Sequence, residues 1–531
     1  MADYTSSWEG VIKDGKTFNL QVAITGLSTE VGIFRISNEN NAREYAFPIS
    51  EAPVLHISLS EGLTFKGIIS DDHAEINGFI KSGILLYHIR LTKTEPDTYK
   101  GSWNILMVDQ LESEKLYLSV ENGKGDTYEA YPFFGDTRFT GTWCTNFQKE
   151  GDQITFMDFK TGLQFRGKLV ANEILLGVYI GELQLTEVLL QESTRDWQRG
   201  GIVSENTPTK LRFPKMEALI ASDSLTNTHS VVISKKGEVL YERYFNGYNA
   251  KIPHDTRSAS KSIGSAVVGI AKDRALFKNL QQSNFEFLPK KYQQTKDPSM
   301  QDITLESLLT MSSGLDAIDY GKGANPDSPA VENSYQSSPD WTASVLDAHM
   351  IHPPNTVANY GSANPYLLGV AMDSLVSEPL ELFMDTQLFQ PLGITNYIIQ
   401  TDLKGRPYFG GGMYFTPRDL LTFGELYLKK GNWNNKQVIS EAWVSASLKN
   451  YRPLQNVPEQ NGYGYLWWHH SYTAQGKEIA TYEARGAGGQ YIFVVPALEV
   501  VAVITSGDYR NGKTQQPELI FERYILPKLM E

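Results

Sequence analysis

The 531-residue chain has one cysteine, Cys144, and no paired Cys/His spacing around it. That excludes an internal disulfide framework and a zinc ribbon. Basic charge is also scarce. Forty-eight Lys plus Arg stand against 61 Asp plus Glu, a net charge of −13, and no Lys/Arg run offers the footprint that nucleic acid requires. Long apolar runs are missing as well. A bilayer-spanning helix needs about 20 apolar residues, whereas the most apolar stretch, Tyr491 to Thr505, is shorter and contains Pro496 and Glu499. The first residues, MADYTSSWEG, lack the basic and apolar regions of a secretory leader, so the expected location is the cytoplasm. His469 and His470 follow two tryptophans, but neighbours on a strand point to opposite faces and no HExxH spacing occurs, so no metal site is expected. No GxSxG elbow, P-loop or strand-linked GxGxxG is found either, which counts against an α/β-hydrolase, an NTPase and a dinucleotide enzyme.

What is present divides into two patterns. Residues 1–190 read as short alternating strands, such as TFNLQVAIT (Thr17–Thr25), VLHISL (Val54–Leu59) and GILLYHIRL (Gly83–Leu91), separated by Gly/Asn/Asp turns. An all-β barrel or sandwich is expected. GLTFKG at Gly62–Gly67 returns as GLQFRG at Gly162–Gly167, which predicts two related β units. Residues 191–212 are polar, rich in turn formers and aperiodic, and read as a linker. From 213 to 531 the class changes. A helix over Phe213–Leu225, a hairpin turning at Lys235–Lys236–Gly237, long apolar helical stretches and strands over Gly489–Ser506 predict an α/β or α+β domain.

Three places in that second part can carry chemistry. Ser258–Ala259–Ser260–Lys261 is the only Ser-x-x-Lys of the chain, and the small apolar segment after it suits a buried helix. Positions i and i+3 share a helix face, which puts the Lys261 amine beside the Ser258 hydroxyl. Burial lowers a lysine pKa, so such an amine is able to accept the serine proton. The second place is Tyr360-Gly361-Ser362 in a Gly/Asn-rich loop, where a phenol near a lysine can be held as phenolate and shuttle protons. The third is Glu483 to Gln490 (EARGAGGQ), whose glycines permit close approach of a ligand to a strand edge. Read one at a time, these are an N-cap beside a solvated charge, a packing aromatic and a tight turn.

Taken in order, Ser258-x-x-Lys261, Tyr360-x-Ser362 and the Gly-rich third motif resemble the serine β-lactamase and penicillin-binding-protein superfamily. The particular likeness is to class C β-lactamase-like hydrolases, esterases and the 6-aminohexanoate-dimer hydrolase branch. ITLESLLTMSSGL at Ile303–Leu315, GGGMYFTPRDLLTFGELYL at Gly410–Leu428 and GYGYLWWHH at Gly462–His470 extend it over about residues 213–531. The resemblance implies an antiparallel sheet flanked by helices, no cofactor, and hydrolysis of a small ester or amide. It implies Ser258 as acylated nucleophile, Lys261 as proton acceptor, Tyr360 as partner base, and the backbone N–H groups of Ser258 and Ala487 as oxyanion hole. Ser362, Arg485, Gly486, Tyr320, Trp341, Tyr414 and Trp468 become substrate-binding candidates. The third motif departs from the pattern: Ala484 stands where the family carries Lys or His. That loss of a cation favours an ester or amide over a β-lactam or D-alanyl peptide, with Arg485 either replacing the charge or facing solvent. The rivals are a β-lactamase, a D-alanyl-D-alanine carboxypeptidase or D-aminopeptidase, and a catalytically silent recognition protein. Lipocalin-like barrels accompany some relatives. The N-terminal β domain is accordingly expected to cover the cleft, hold an apolar part of the substrate or join copies into a homo-oligomer.

Overall fold

The computed structural model describes residues 6–49, 53–123, 127–136, 138, 144–193, 209–295, 297–457 and 462–531. The chain separates into two compact units, residues 1–201 and 202–531. Of the expected linker 191–212, residues 194–208 lie outside the described residues.

The first unit is all β, as the alternation in its sequence requires. One antiparallel sheet contains β2 (Asn19–Thr25), β3 (Val31–Ser37), β4 (Ala42–Pro48), β5 (Val54–Ser60), β6 (Leu63–Ile69), β7 (Glu75–Ser82), β8 (Leu85–Glu95) and β9 (Thr98–Asn104), in the order β5-β6-β7-β8-β9-β2-β3-β4. A second contains β10 (Lys115–Asn122), β11 (Tyr128–Phe134), β12 (Cys144–Glu150), β13 (Gln153–Asp158), β14 (Gln164–Val170), β15 (Glu173–Ile180) and β16 (Leu183–Glu192). Its order is β12-β13-β14-β15-β16-β1-β10-β11, the inserted strand being the chain's first, β1 (Ser6–Val11). Thus β1 holds in the second sheet the place that β9 holds in the first, a strand exchange that the sequence echo did not reveal. The echo itself marks equivalent turns. Gly62 and Gly162 both lie in the left-handed region, at φ +75° and +76°. Both lead into a strand, β6 and β14, whose phenylalanine, Phe65 or Phe165, is buried. The turns also meet reciprocally. Gly162 packs on Gly83 and Ser82, and Gly181 packs on Ser60, so each repeat offers its β5–β6-type turn to the other's β7–β8-type turn.

The second unit is built on a seven-stranded antiparallel sheet. Its strands are β17 (Thr228–Lys235), β18 (Glu238–Tyr244), β19 (Gly462–Tyr463), β20 (Trp468–Ala474), β21 (Lys477–Gly486), β22 (Gln490–Val495) and β23 (Val500–Ser506), ordered β18-β17-β23-β22-β21-β20-β19. The hairpin β17–β18 turns at Lys236 and Gly237, both at positive φ. β22 (QYIFVV) and β23 (VVAVITS) are buried at every position because both faces are covered. On one face lie Met216 and Ile220 of α1 (Pro214–Ala221) and the C-terminal Phe521 and Ile525. The expected helix over Phe213–Leu225 is shorter than its pattern, capped by Ser222. Among the described residues the longest helices of the unit are α2 (Lys261–Asp273), α3 (Ala363–Leu375) and α4 (Pro417–Leu428), with shorter ones between and after them. Gly424 of α4 lies against Val501 and Ile492, which brings that helix close onto the sheet. Gly264 of α2 and Gly369 of α3 both face the ring of Phe409. Buried apolar side chains of this size stabilise by about 1.5–3 kcal/mol each.

Candidate active site

The chain reaches Ser258 through a pinned corner. The Thr256 N–H and hydroxyl both donate to the Met413 carbonyl, the hydroxyl at 2.6 Å. Arg257 then takes a left-handed φ of +47°, a conformation that costs a side-chain-bearing residue about 1–2 kcal/mol and gathers at functional sites. Ser258 lies in the 3-10 turn Arg257–Ser260, which runs directly into α2. The small residues after it serve this placement. Gly264 and Gly269 let α2 approach the rings of Phe409 and Trp443, leaving Lys261 to Ala271 buried.

Lys261, 1% exposed, turns its ammonium group back to Ser258. Its Nζ donates to Ser258 Oγ at 2.8 Å, to Ser362 Oγ at 3.1 Å and to the Gly410 carbonyl. Burial lowers its pKa from the ordinary lysine value, and the negative charges of Glu332 and Asp319 oppose that shift without cancelling it. An amine lowered in this way holds its proton loosely, which suits an acceptor for the serine hydroxyl.

The tyrosine loop is fixed from two sides. Gly361 passes so close to the Ala317 carbonyl that a Cβ would collide with it. The Ser362 N–H donates to Asp319 Oδ2 at 2.7 Å, while Asp319 Oδ1 accepts the Glu332 N–H at 2.9 Å. Asn456 clamps the loop from the other side. Its Oδ1 accepts the Tyr360 N–H at 2.8 Å, and its Nδ2 donates to the carbonyls of Tyr320 and Tyr360 at 2.9 and 3.2 Å. Tyr360 is thereby held between Trp468, at 5.0 Å between ring centroids, and Tyr320, at 5.4 Å. Lys261 Nζ sits 5.2 Å from the Tyr360 ring centroid, and the phenol interacts with Ser258. Burial raises the Tyr360 pKa well above that of a free phenol, a shift the Ser258 interaction only reduces. Desolvation thus works against the phenolate that the sequence suggested and favours the neutral phenol.

Strand β21 passes beside the Ser258 turn. Gly486 lies against the Thr256 carbonyl and the Ala259 nitrogen, leaving no room for a side chain. Ser258, Tyr320, Tyr360, Trp468, Arg485, Gly486 and Ala487 all line one cavity of about 310 Å³, joined by Val457, Tyr491, Gly512, Thr514 and Gln515. Ala484, at the departure from the third motif, is buried and paired with Ile492. Arg485 neither faces solvent nor presents an uncommitted charge. It is 7% exposed, lies 2.6 Å from Glu483 and 3.0 Å from Glu518, and stands over Trp468 at 5.2 Å.

Three candidates lie elsewhere. Trp341, 2% exposed, packs among Tyr335, Tyr366 and Tyr408, and Tyr414, also 2% exposed, pairs with Asp255 in a short bridge. Neither lines the cavity, because both were needed to fill the core. Ser362 is likewise buried, joined to Lys261 and Asp319 rather than to the open space. Asn456, Asp319 and Tyr491 went unnoticed in the sequence. Asn456 follows the segment RPLQ, which carries no signal of its role. Among the described residues no group of three or more His, Cys, Asp or Glu side chains is gathered as a metal site, and no helix is long and apolar enough to cross a membrane.

A family model described as Beta-lactamase matches residues 222–522. No curated protein matches the chain. Solved structures that resemble it include a Bacillus anthracis protein described provisionally as a 6-aminohexanoate-dimer hydrolase. It is 19% identical over 57% of this chain and 79% of that one, with a TM-score of 0.47. A D-stereospecific amidohydrolase from Streptomyces sp. is 14% identical over 58% and 97%, TM-score 0.46. A penicillin binding protein from Bacillus halodurans is 15% identical over 58% and 98%, TM-score 0.44.

Proposed function

Because this chain belongs to the beta-lactamase family, we propose that it is a serine hydrolase cleaving an ester or amide through a covalent acyl-enzyme on Ser258. The observation that carries this reading is the 2.8 Å contact from the buried, pKa-lowered Lys261 amine to the Ser258 hydroxyl. Neutral Lys261 takes the Ser258 proton as Oγ forms a bond to the substrate carbonyl carbon. The carbonyl oxygen becomes an oxyanion, held by the N–H groups of Ser258 and Ala487, which both border the cavity. When the carbon–oxygen or carbon–nitrogen bond to the leaving group breaks, the Tyr360 phenol gives that group its proton and regains one from the Lys261 ammonium. Water then attacks the acyl carbon by the same relay, and Ser258 leaves with a proton. Ser362 and Asp319 keep Lys261 aimed at the nucleophile, and Asn456 keeps Tyr360 in place.

An ester or amide without a carboxylate anchor is favoured over a β-lactam or D-alanyl peptide, since Ala484 supplies no cation and Arg485 is already paired. A serine-directed fluorophosphonate probe tests the reading. Stoichiometric labelling that disappears in Ser258→Ala is expected. No labelling of the wild type favours a catalytically silent recognition protein, and equal labelling of the variant overturns Ser258 as the nucleophile.

A further inference from the structure

The cavity beside Ser258 is walled by aromatic rings, Tyr320, Tyr360, Trp468 and Tyr491, and by one buried guanidinium, Arg485. Two carboxylates hold that cation. Glu483 Oε2 accepts from Arg485 Nε at 2.7 Å and lies 2.6 Å from Nη2, with no exposed side-chain surface. Glu518 Oε1 lies 3.0 Å from Nη1, accepts the Tyr491 hydroxyl at 2.8 Å, and is 18% exposed. Among the described residues Arg485 is the one charged residue that lines the cavity, and with the two carboxylates paired to it the group carries a net charge of −1. The other charged groups do not reverse it. Lys261 is turned toward Ser258, Ser362 and Gly410 with Asp319 and Glu332 behind it. Arg257 pairs with Asp255 at 3.2 Å, and Lys513, between the lining residues Gly512 and Thr514, stands in solvent where water and salt screen it.

We propose that the Glu483–Arg485–Glu518 triad selects substrates by charge. The part of the ester or amide that fills the cavity is an uncharged or cationic aromatic or aliphatic group, a carboxylate there is refused, and Glu518 is the residue that sets the preference. The physical reason is that a carboxylate entering this aromatic-walled space gives up water to meet a guanidinium already ion-paired with two carboxylates, whose surplus negative charge opposes it. An apolar group loses nothing by entering, and a quaternary ammonium group gains both from that charge and from the ring faces. Glu518 rather than Glu483 is the determinant because Glu483 is enclosed and also accepts from Thr481 at 2.5 Å, whereas Glu518 keeps 18% of its side chain exposed.

The inference rests on the hydrolase reading, and two ester series keep their failures apart. In one the acyl part varies: 4-nitrophenyl hexanoate, mono-4-nitrophenyl adipate and 4-nitrophenyl 6-(trimethylammonio)hexanoate. In the other the leaving group varies: phenyl butyrate against 4-carboxyphenyl butyrate, followed at constant ionic strength. In at least one series wild-type kcat/KM for the carboxylate ester is expected to be about tenfold or more below that of the neutral one, and the ammonium ester is expected to match or exceed the neutral ester. In that series Glu518→Gln is expected to raise the carboxylate-to-neutral ratio about tenfold, and Glu518→Asp, which keeps the charge, to hold it near the wild-type value. Equal or better use of the carboxylate ester in both series overturns the proposal on wild-type protein alone, whatever the variants do. A ratio unmoved by Glu518→Gln, or moved as far by Glu518→Asp, overturns the assignment to the Glu518 charge. Absence of turnover in both series, together with absence of probe labelling at Ser258, sinks the hydrolase reading itself.

Discussion

Gly361 offers a sharp perturbation of the site, because its effect is steric and local. The residue separates Tyr360 from Ser362, and its φ is not in the left-handed region, so alanine brings no dihedral strain. What alanine brings is a methyl carbon far inside the 3.0 Å limit from the Ala317 carbonyl oxygen, a backbone atom with no rotamer to yield. Relief requires the two loops to part by about 1 Å or more, and a misplacement of about 1 Å in a catalytic array costs on the order of 10²-fold in rate. The loops cannot part freely, since the Ser362 N–H is held by Asp319 at 2.7 Å and the Tyr360 N–H by Asn456 at 2.8 Å. Part of the shift is therefore passed to the Tyr360 hydroxyl and to Ser362 Oγ, which accepts from Lys261. Overpacking of this kind also destabilises by about 1–3 kcal/mol, which leaves a unit of this size folded. The assay is kcat/KM for 4-nitrophenyl butyrate, read beside a thermal melt and the rate of fluorophosphonate labelling. Gly361→Ala is expected to melt several degrees lower, with kcat/KM and labelling reduced about 100-fold. A folded variant within about threefold of wild type refutes the claim that this loop's position governs the chemistry.

Tyr360→Phe removes only the phenol oxygen and leaves the ring between Tyr320 and Trp468, so turnover is expected to fall by about 10²–10⁴-fold with an unchanged melt; near-wild-type turnover removes Tyr360 from the mechanism. Because burial lowers the Lys261 pKa, kcat/KM for a neutral ester is expected to rise with pH through an inflection below the usual lysine range, and Lys261→Arg, which cannot give up its proton, is expected to be inactive throughout. An inflection at the ordinary lysine value contradicts that account. His254 carries a prediction about stability. Burial holds its pKa down at about 3, while an unfolded imidazole titrates at about 6.5, so the unfolded chain binds a proton that the folded chain refuses between those values. Stability is expected to fall as pH drops from about 6.5 toward about 3, and to fall less steeply in His254→Gln; parallel urea midpoints for the two proteins from pH 7 to 4.5 contradict this.

The legible parts of this molecule are those written in local pattern. Alternation over Val54–Ser60 and the echoed GLTFKG and GLQFRG announce strands and turns because side-chain period and turn glycine are local properties. The Ser258/Lys261 pair is legible for the same reason, being one helical turn apart. Partners supplied by distant segments are not legible. β1 reaches the second β sheet across more than 100 residues, and Asn456 grips Tyr360 across 96, with nothing in either local sequence to say so. The state of Tyr360 and the commitment of Arg485 are set by burial and by Glu518, which the sequence alone places nowhere near them. Trp341 and Tyr414 were misplaced because an aromatic in a core and one lining a cavity look alike in sequence.

The central claim is that Ser258 becomes acylated during turnover. Incubation with a slowly deacylating 4-nitrophenyl ester, acid quench and peptide mass analysis measures this directly. The account predicts an acyl-group mass shift on the peptide carrying Ser258, at close to one per chain while 4-nitrophenol release continues, absent in Ser258→Ala and lost by hydrolysis once the ester is removed. Turnover with no acyl adduct at Ser258, or with the adduct on another residue, contradicts it.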